Sequence, residues 1–245
     1  MFKTKSQLRI FENTEKLAAA LAENFRTAVN QAAKENRDYF VALSGGSTPA
    51  LLFQKLASLP YRDNISWQHV HFFWGDERCV PPDHPDSNYG MTRRNLLDHI
   101  EIPTENSHRI FGENAPGDEA KRYAGEIRQW LPLTQTGWPE FDWIMLGLGE
   151  DGHTASIFPG SAVMEDRDNI CAVAIHPATG QQRITLTLPA INHAKRISFL
   201  VTGENKAKIV AKVLSGNEPL PAALVQPIHG ILAWHLDAPA GKLMR

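Results

Sequence analysis

The sequence predicts an α/β fold, a doubly wound and mostly parallel sheet with helices on both faces, Rossmann-like in its winding. Three observations carry that expectation. Short apolar runs bounded by glycine alternate along the chain with segments of helical period. Polar, glycine-rich turns follow those runs directly, where the strand-to-helix loops of a parallel sheet belong. At 245 residues, with ordinary proportions of apolar and charged side chains, the chain is long enough to bury a large core.

The elements follow in order. From Thr14, the residues Leu17, Leu21, Phe25, Val29 and Ala32 keep helical spacing. Residues 39–43 read as a strand that stops at Ser44-Gly45-Gly46, and Pro49 lies in the first turn of a helix reaching Leu56. A strand over 69–74 runs into Gly75-Asp76-Glu77-Arg78 and a proline-rich loop, after which 88–100 can form a helix. Ala120, Tyr123, Ala124, Ile127 and Trp130 mark another helix, and 142–146 a strand ending at Gly147-Leu148-Gly149. Residues 171–175 and 183–188 read as further strands. Residues 196–201 form a strand leading through Thr202-Gly203 to a helix ending near Leu214, and 231–236 a last strand. Residues 132–139 and 216–227 read as loops, and neither separates two core-sized halves. Residues 1–245 are therefore expected to form one domain.

The 25 Lys and Arg against 27 Asp and Glu leave a net charge of −2. No general attraction to nucleic acid or to an anionic membrane follows, so positive charge for an anionic ligand must be gathered locally. Cys79 and Cys171 are too few for a disulfide framework and are expected as reduced thiols. Residues 1–20 carry Lys3, Lys5, Arg9, Glu12 and Glu15 and no apolar run of signal length. A cytoplasmic protein, monomeric or homodimeric, with no nucleic-acid or membrane partner is the expectation.

In doubly wound sheets ligands bind beyond the carboxyl ends of the strands. Four polar loops here follow predicted strands and should gather on one edge: 44–48, 75–78, 149–153 and 202–206. In the first, glycines allow a tight turn and close backbone approach. Free amides at the helix start favour a phosphate, and Ser44, Ser47 and Thr48 add hydroxyls. The plain alternative is a helix N-cap with no ligand. Gly147-x-Gly149-x-x-Gly152 has the form of a dinucleotide fingerprint, but His153 and Pro159 stand where its helix should run, and no acid closes the next strand.

His153 lies in a glycine-bounded turn two residues from Asp151, and an unperturbed imidazole, titrating near pH 6.5, suits proton transfer. A histidine that merely caps the turn is the alternative. His69 and His71 alternate on one strand without a third ligand, and HExxH and paired CxxC motifs are absent, so no metal site is expected. The chain also lacks a GxSxG elbow. Arg78, Arg183 and Lys206 are the cations nearest these loops; each alone reads as surface charge, while together they would offset the net negative charge beside the anion loop.

In combination, the strings from Leu43 to Pro49, Trp74 to Arg78 and Asp151 to Gly160 resemble those of the 6-phosphogluconolactonases, with the stretch 86–89, Arg183-Ile184-Thr185 and Thr202-Gly203 with Lys206 in support. The similarity spans nearly the whole chain in order. The related glucosamine-6-phosphate deaminases share the fold and the anion loop. They carry Asp-Glu-Tyr in place of Asp76-Glu77-Arg78, and an Asn-Glu pair in place of Ile157-Phe158. The missing glutamate argues against deamination. A catalytically silent sugar-phosphate sensor of this fold would carry a DNA-binding segment, for which the first helix leaves no room.

The resemblance implies hydrolysis of 6-phospho-D-glucono-1,5-lactone to 6-phosphogluconate, the second step of the oxidative pentose phosphate pathway, with neither cofactor nor metal. On that reading His153 is the general base, Asp151 orients it or holds substrate hydroxyls, and Arg78 stabilises the oxyanion or binds phosphate. Asp76 contacts sugar hydroxyls, while Ser44, Gly45, Gly46, Ser47, Arg183 and Lys206 grip the phosphate.

Overall fold

The computed structural model describes residues 6–244; Lys3 and Lys5 of the N-terminal charge pattern lie outside them. Six parallel strands form the main sheet in the order β1 (Gln7–Phe11), β9 (Ile231–Asp237), β8 (Arg196–Val201), β5 (Trp143–Leu146), β2 (Tyr39–Leu43) and β3 (Val70–Trp74). β2, β3 and β5 are buried along their whole length, and apart from His71 in β3 they read as apolar runs, as parallel strands covered on both faces do.

Helix α1 (Thr14–Lys34) starts where the Asn13 side chain accepts the Lys16 amide, and it buries Leu17, Leu21, Phe25, Val29 and Ala32. Phe25 lies among the rings of Tyr39, Trp67, Phe72 and Trp143, with centroids 6.0–6.4 Å away. Phe73, pointing the other way, meets Tyr123 of α4 (Pro116–Trp130) at 6.2 Å. The Tyr123 hydroxyl donates to the Trp74 carbonyl at 2.9 Å and accepts the Trp74 amide at 2.8 Å. Helices thus cover both faces, as the alternating pattern predicts.

A second, antiparallel sheet was not foreseen. Its order is β4 (Asp76–Arg78), β7 (Gln182–Leu186) and β6 (Cys171–Ile175). The strands expected over 171–175 and 183–188 therefore exist but stand apart from the parallel sheet. β7 stops at Leu186 because Thr187 caps α5 (Leu188–Asn192), its hydroxyl accepting the Ala190 amide. Gly75 joins the two sheets: its amide donates to Leu43 of the main sheet, and its carbonyl accepts the Leu186 amide of the small one, each at 2.8 Å. The helix expected over 88–100 divides into α3 (Asn88–Asn95) and a 3₁₀ turn, Leu97–His99. β1, a strand not expected from the sequence, lies at the sheet's edge with Leu8 and Ile10 exposed. The helix after β8 is α6 (Ala207–Ser215). Both cysteines are free thiols.

Two buried histidines in this frame are held neutral. Burial pushes His71 down to about 4, with Asp38 opposing and His108 adding to the effect; burial and the charges of Arg196 and Arg9 push His235 down to about 4. Unfolded, both return to an ordinary imidazole value near 6.5 and bind protons that the native state refuses. Stability therefore falls as pH drops from about 6.5 to about 4. Melting temperature should decline on acidification through that window, and His235→Gln should flatten part of the decline. An unchanged slope in the variant would remove His235 as a source.

Candidate active site

The chain leaves β2 toward β3 on one side and, after β5, next enters the main sheet at β8 on the other. The loops following β2 and β5 diverge, and a crevice opens between them at the carboxyl edge. It holds a cavity of about 230 Å³. Ser44, Gly45 and Gly46 reach it from the β2 loop, Asp76 and Arg78 from β4, His153 from the β5 loop, Arg183 from β7, and Lys206 from the β8 loop. Ser47 lines an adjoining cavity of about 170 Å³ that shares Gly45, Gly46 and Lys206 as walls. Asp151 is not in the lining; it stands behind His153.

In the first loop, Gly46 has φ 108°, a conformation that favours glycine, and it caps α2 (Ser47–Leu56) without any side-chain hydrogen bond. The Ser44 hydroxyl bonds the Gly45 carbonyl instead. The opening amides of α2 therefore have no side-chain cap. Thr48 and Thr202 hydroxyls meet at 2.6 Å and tie this turn to the β8 loop that carries Lys206. Asn205 bonds Glu150 at 2.7 Å, joining that loop to the histidine turn.

The His153 Nδ1 lies 2.6 Å from Asp151 Oδ1, and the His153 amide donates to the same oxygen at 3.1 Å. An ionised carboxylate only accepts, so Nδ1 carries a proton, and in the neutral ring the lone pair lies on Nε2. Burial alone would raise the Asp151 carboxyl. The His153 amide, the imidazole charge and the Nδ1 bond together outweigh it and hold the group below the ordinary carboxylate range. Gly149 makes room for this histidine, and Gly152 answers a requirement of the backbone. A Cβ on Gly149 would come within 2.1 Å of His153 Nδ1, and Gly152 has φ 88°. No helix follows; the next element is a 3₁₀ turn, Ala162–Glu165, as the rejection of a dinucleotide fingerprint requires.

Along β4, Asp76 and Arg78 share one face and Glu77 takes the other. Arg78 pairs directly with Arg183 of β7, two like charges in register. Such a pair is destabilising. Both Nε atoms are buried without a partner. Arg78 Nη1 donates to the Asp86 carbonyl at 2.5 Å, and Arg183 Nη1 reaches Ser156 Oγ at 3.5 Å above the Phe158 ring. Burial and then the Arg78 charge lower the proton affinity of Arg183. Asp76 Oδ2 accepts the Ser156 hydroxyl at 2.7 Å. Asn88 also lines the cavity, and neither it nor Ser156 was assigned a role from sequence. Both lie within the stretches 86–89 and 151–160, but away from a glycine turn that opens a helix, an uncharged amide or hydroxyl carries little signal of its own.

Fold and site together define an α/β protein with a cationic cavity and an oriented histidine at the carboxyl edge of its sheet. Residues 12–234 match the model of the family described as glucosamine-6-phosphate isomerases/6-phosphogluconolactonase. A 6-phosphogluconolactonase of Haemophilus influenzae is 47% identical over 212 residues, 85% of this chain and 89% of that one. One of Treponema pallidum is 42% identical over 232 residues, 95% and 90% of the two chains. The solved structure of a 6-phosphogluconolactonase from Trypanosoma brucei superposes with a TM-score of 0.87 at 29% identity, covering 99% of this chain and all of that one. The chain belongs to the glucosamine-6-phosphate isomerase/6-phosphogluconolactonase family.

The opposed arginines make a prediction that separates stability from binding. Arg183→Gln removes a like-charge contact of roughly 0.2–1 kcal/mol. The unliganded variant should melt no lower than wild type, and up to about 3 °C higher. The rise in melting temperature that phosphate or 6-phosphogluconate gives wild type should shrink. A variant that melts lower yet keeps the full ligand-induced rise would make Arg183 a structural residue.

Proposed function

We propose that this protein hydrolyses 6-phospho-D-glucono-1,5-lactone to 6-phospho-D-gluconate, acting through a single domain in the cytoplasm, as monomer or homodimer, without nucleic-acid or membrane partners. One observation carries the reading. A histidine with its Nδ1 tied to a carboxylate faces the same cavity as two opposed arginines and an uncapped helix start. The family relatives named above support it.

His153 Nε2 takes a proton from water as the oxygen attacks C1, and Asp151 holds the resulting imidazolium. The carbonyl oxygen becomes an oxyanion, which the Arg78 guanidinium stabilises. On collapse the bond from C1 to the ring oxygen breaks, that oxygen takes the proton from His153, and the new carboxylic acid ionises. One water is consumed, and no redox change or group carrier enters, so the reaction calls for neither cofactor nor covalent nucleophile. Asp76 accepts from sugar hydroxyls. Ser44, Gly45, Gly46, Ser47, Arg183 and Lys206 hold the phosphate through amides, hydroxyls and charge. Ile157 and Phe158, buried and apolar, occupy the places of the Asn-Glu pair on which deamination relies.

The test follows lactone loss with 6-phosphogluconate formation coupled to its oxidation, spontaneous hydrolysis subtracted, and unphosphorylated gluconolactone in parallel. Turnover confined to the phosphorylated lactone is expected. His153→Ala should lower kcat by about 10²–10⁴-fold, and Lys206→Ala should chiefly raise KM. Near wild-type kcat in His153→Ala would remove it as base. If Arg78→Lys spared kcat and weakened inhibition by inorganic phosphate, Arg78 would move to the phosphate. Tight binding of 6-phosphogluconate with no turnover would favour a sensor.

A further inference from the structure

Asn88 is 3% exposed, and the surface it keeps faces the cavity. Its Nδ2 donates to the Asp76 carbonyl at 2.8 Å and lies 3.5 Å from Asp76 Oδ1. Its Oδ1 accepts nothing from the described residues and lies against Gly45, where a Cβ would stand 1.8 Å away. A fixed amide oxygen thus sits at the junction of the Asp76 carboxylate and the anion loop. Around it the cavity offers donors: Arg78, Arg183, Lys206 and the loop amides. Those suit phosphate and oxyanion oxygens, which only accept. An unused acceptor suits the other polar groups of a sugar, its hydroxyls.

Asn88 is held from beneath by Glu77. This carboxylate is 2% exposed, on the face of β4 opposite Asp76 and Arg78, and forms no ion pair with the described residues. Its Oε1 accepts the amides of Arg78 and Asn88, each at 2.8 Å, and its Oε2 accepts the Tyr89 amide at 2.8 Å and the Ser87 hydroxyl at 3.0 Å. Four donors offset the burial of one charge. Together they lock the first turn of α3 onto β4, and Asn88 is the first residue of that helix.

Building on the lactonase reading, the geometry points to Asn88 as a further substrate-contacting residue, whose Oδ1 accepts a hydrogen bond from a ring hydroxyl, and to Glu77 as the positioning residue that sets it. It distinguishes the gluco lactone from epimers at one ring carbon. The anion loop would bind either alike.

The experiment is steady-state kinetics of the full chain with 6-phosphogluconolactone and its C2 and C4 epimers, for wild type, Asn88→Ala, Glu77→Gln and the double variant. Asn88→Ala should raise KM about tenfold, the worth of one neutral hydrogen bond. Its preference for the gluco substrate should shrink, and inhibition by inorganic phosphate should stay within twofold of wild type. Glu77→Gln should reproduce that pattern, and the two changes should not multiply in the double variant. Should Glu77→Gln fail to fold, Ser87→Ala, which removes one of the four donors, should shift KM the same way by a smaller factor. An Asn88→Ala enzyme with wild-type KM and wild-type epimer preference overturns the contact. A folded Glu77→Gln enzyme, or failing that Ser87→Ala, with both parameters unchanged overturns the positioning role. Wild type inactive on every lactone would instead sink the lactonase reading. Calorimetric binding of 6-phosphogluconate to wild type and Asn88→Ala would then decide the contact, equal affinities counting against it.

Discussion

In a parallel sheet all carboxyl ends lie on one edge, and here the chain departs from two neighbouring strands, β2 and β5, toward opposite sides. That single constraint positions everything else. It separates the 44–46 loop from the 147–153 loop and leaves a crevice that no side chain of the sheet can fill. It also leaves β3 at the sheet's edge, free to run on through Gly75 into β4. The small antiparallel sheet is the consequence. β4 has no parallel neighbour to join, so it pairs with β7, and the alternation of side chains along it turns Asp76 and Arg78 toward the crevice and Glu77 away.

The electrostatics of the crevice run against stability. A chain of net charge −2 concentrates Arg78, Arg183 and Lys206 around one small cavity, two of them in direct cross-strand register. Two guanidinium Nε atoms are buried unpartnered. A packed protein rarely leaves such groups unsatisfied without a reason. An anion drawn between them converts the repulsion into two attractions. The cost in the empty protein and the affinity in the occupied one thus have the same origin. Asp76 is the counterweight. Held by Ser156 and Asn88, it keeps a negative charge at one wall, so the cavity is not uniformly cationic and has a direction in which a ligand with both anionic and hydroxyl groups must lie.

Much of this was legible in the sequence. The parallel strands announced themselves as apolar runs ending in glycine, because burial on both faces removes the polar alternation that would otherwise blur them. The loops that line the cavity were legible for the same reason, each being the first polar stretch after such a run. The small sheet was not. β4 has three residues, all charged, and carries no hydrophobic signal at all. Its strand character comes from Gly75 and from pairing with β7, more than a hundred residues away in the chain. Because 76–78 reads as a loop, the alternation that sends Glu77 to one side and its neighbours to the other was invisible. So was the opposition of Arg78 and Arg183, which are unrelated until β7 folds back beside β4. Asn88 was hidden differently: helix starts often hold asparagine, and only its bonds to Asp76 and Glu77, formed when α3 packs on β4, mark this one as fixed.

The glycines show how one residue type carries several meanings. Gly46, Gly152 and Gly203 have positive φ, and for them backbone freedom is the physical requirement. Gly45 and Gly149 do not; each is small because another side chain occupies the space, the Asn88 amide at one and the His153 imidazole at the other. The spacing Gly147-x-Gly149-x-x-Gly152 thus matches a dinucleotide fingerprint for reasons unrelated to a pyrophosphate. A fingerprint works because its glycines lead into a helix whose amides point at the phosphates. This turn leads into none, and its middle glycine clears room for an imidazole. The loop after β2 has fewer glycines and matches no dinucleotide pattern, yet it does open a helix, with no side chain closing the helix end. Where the backbone amides point, set by whether a helix follows and not by the count of glycines, is what separates these two loops.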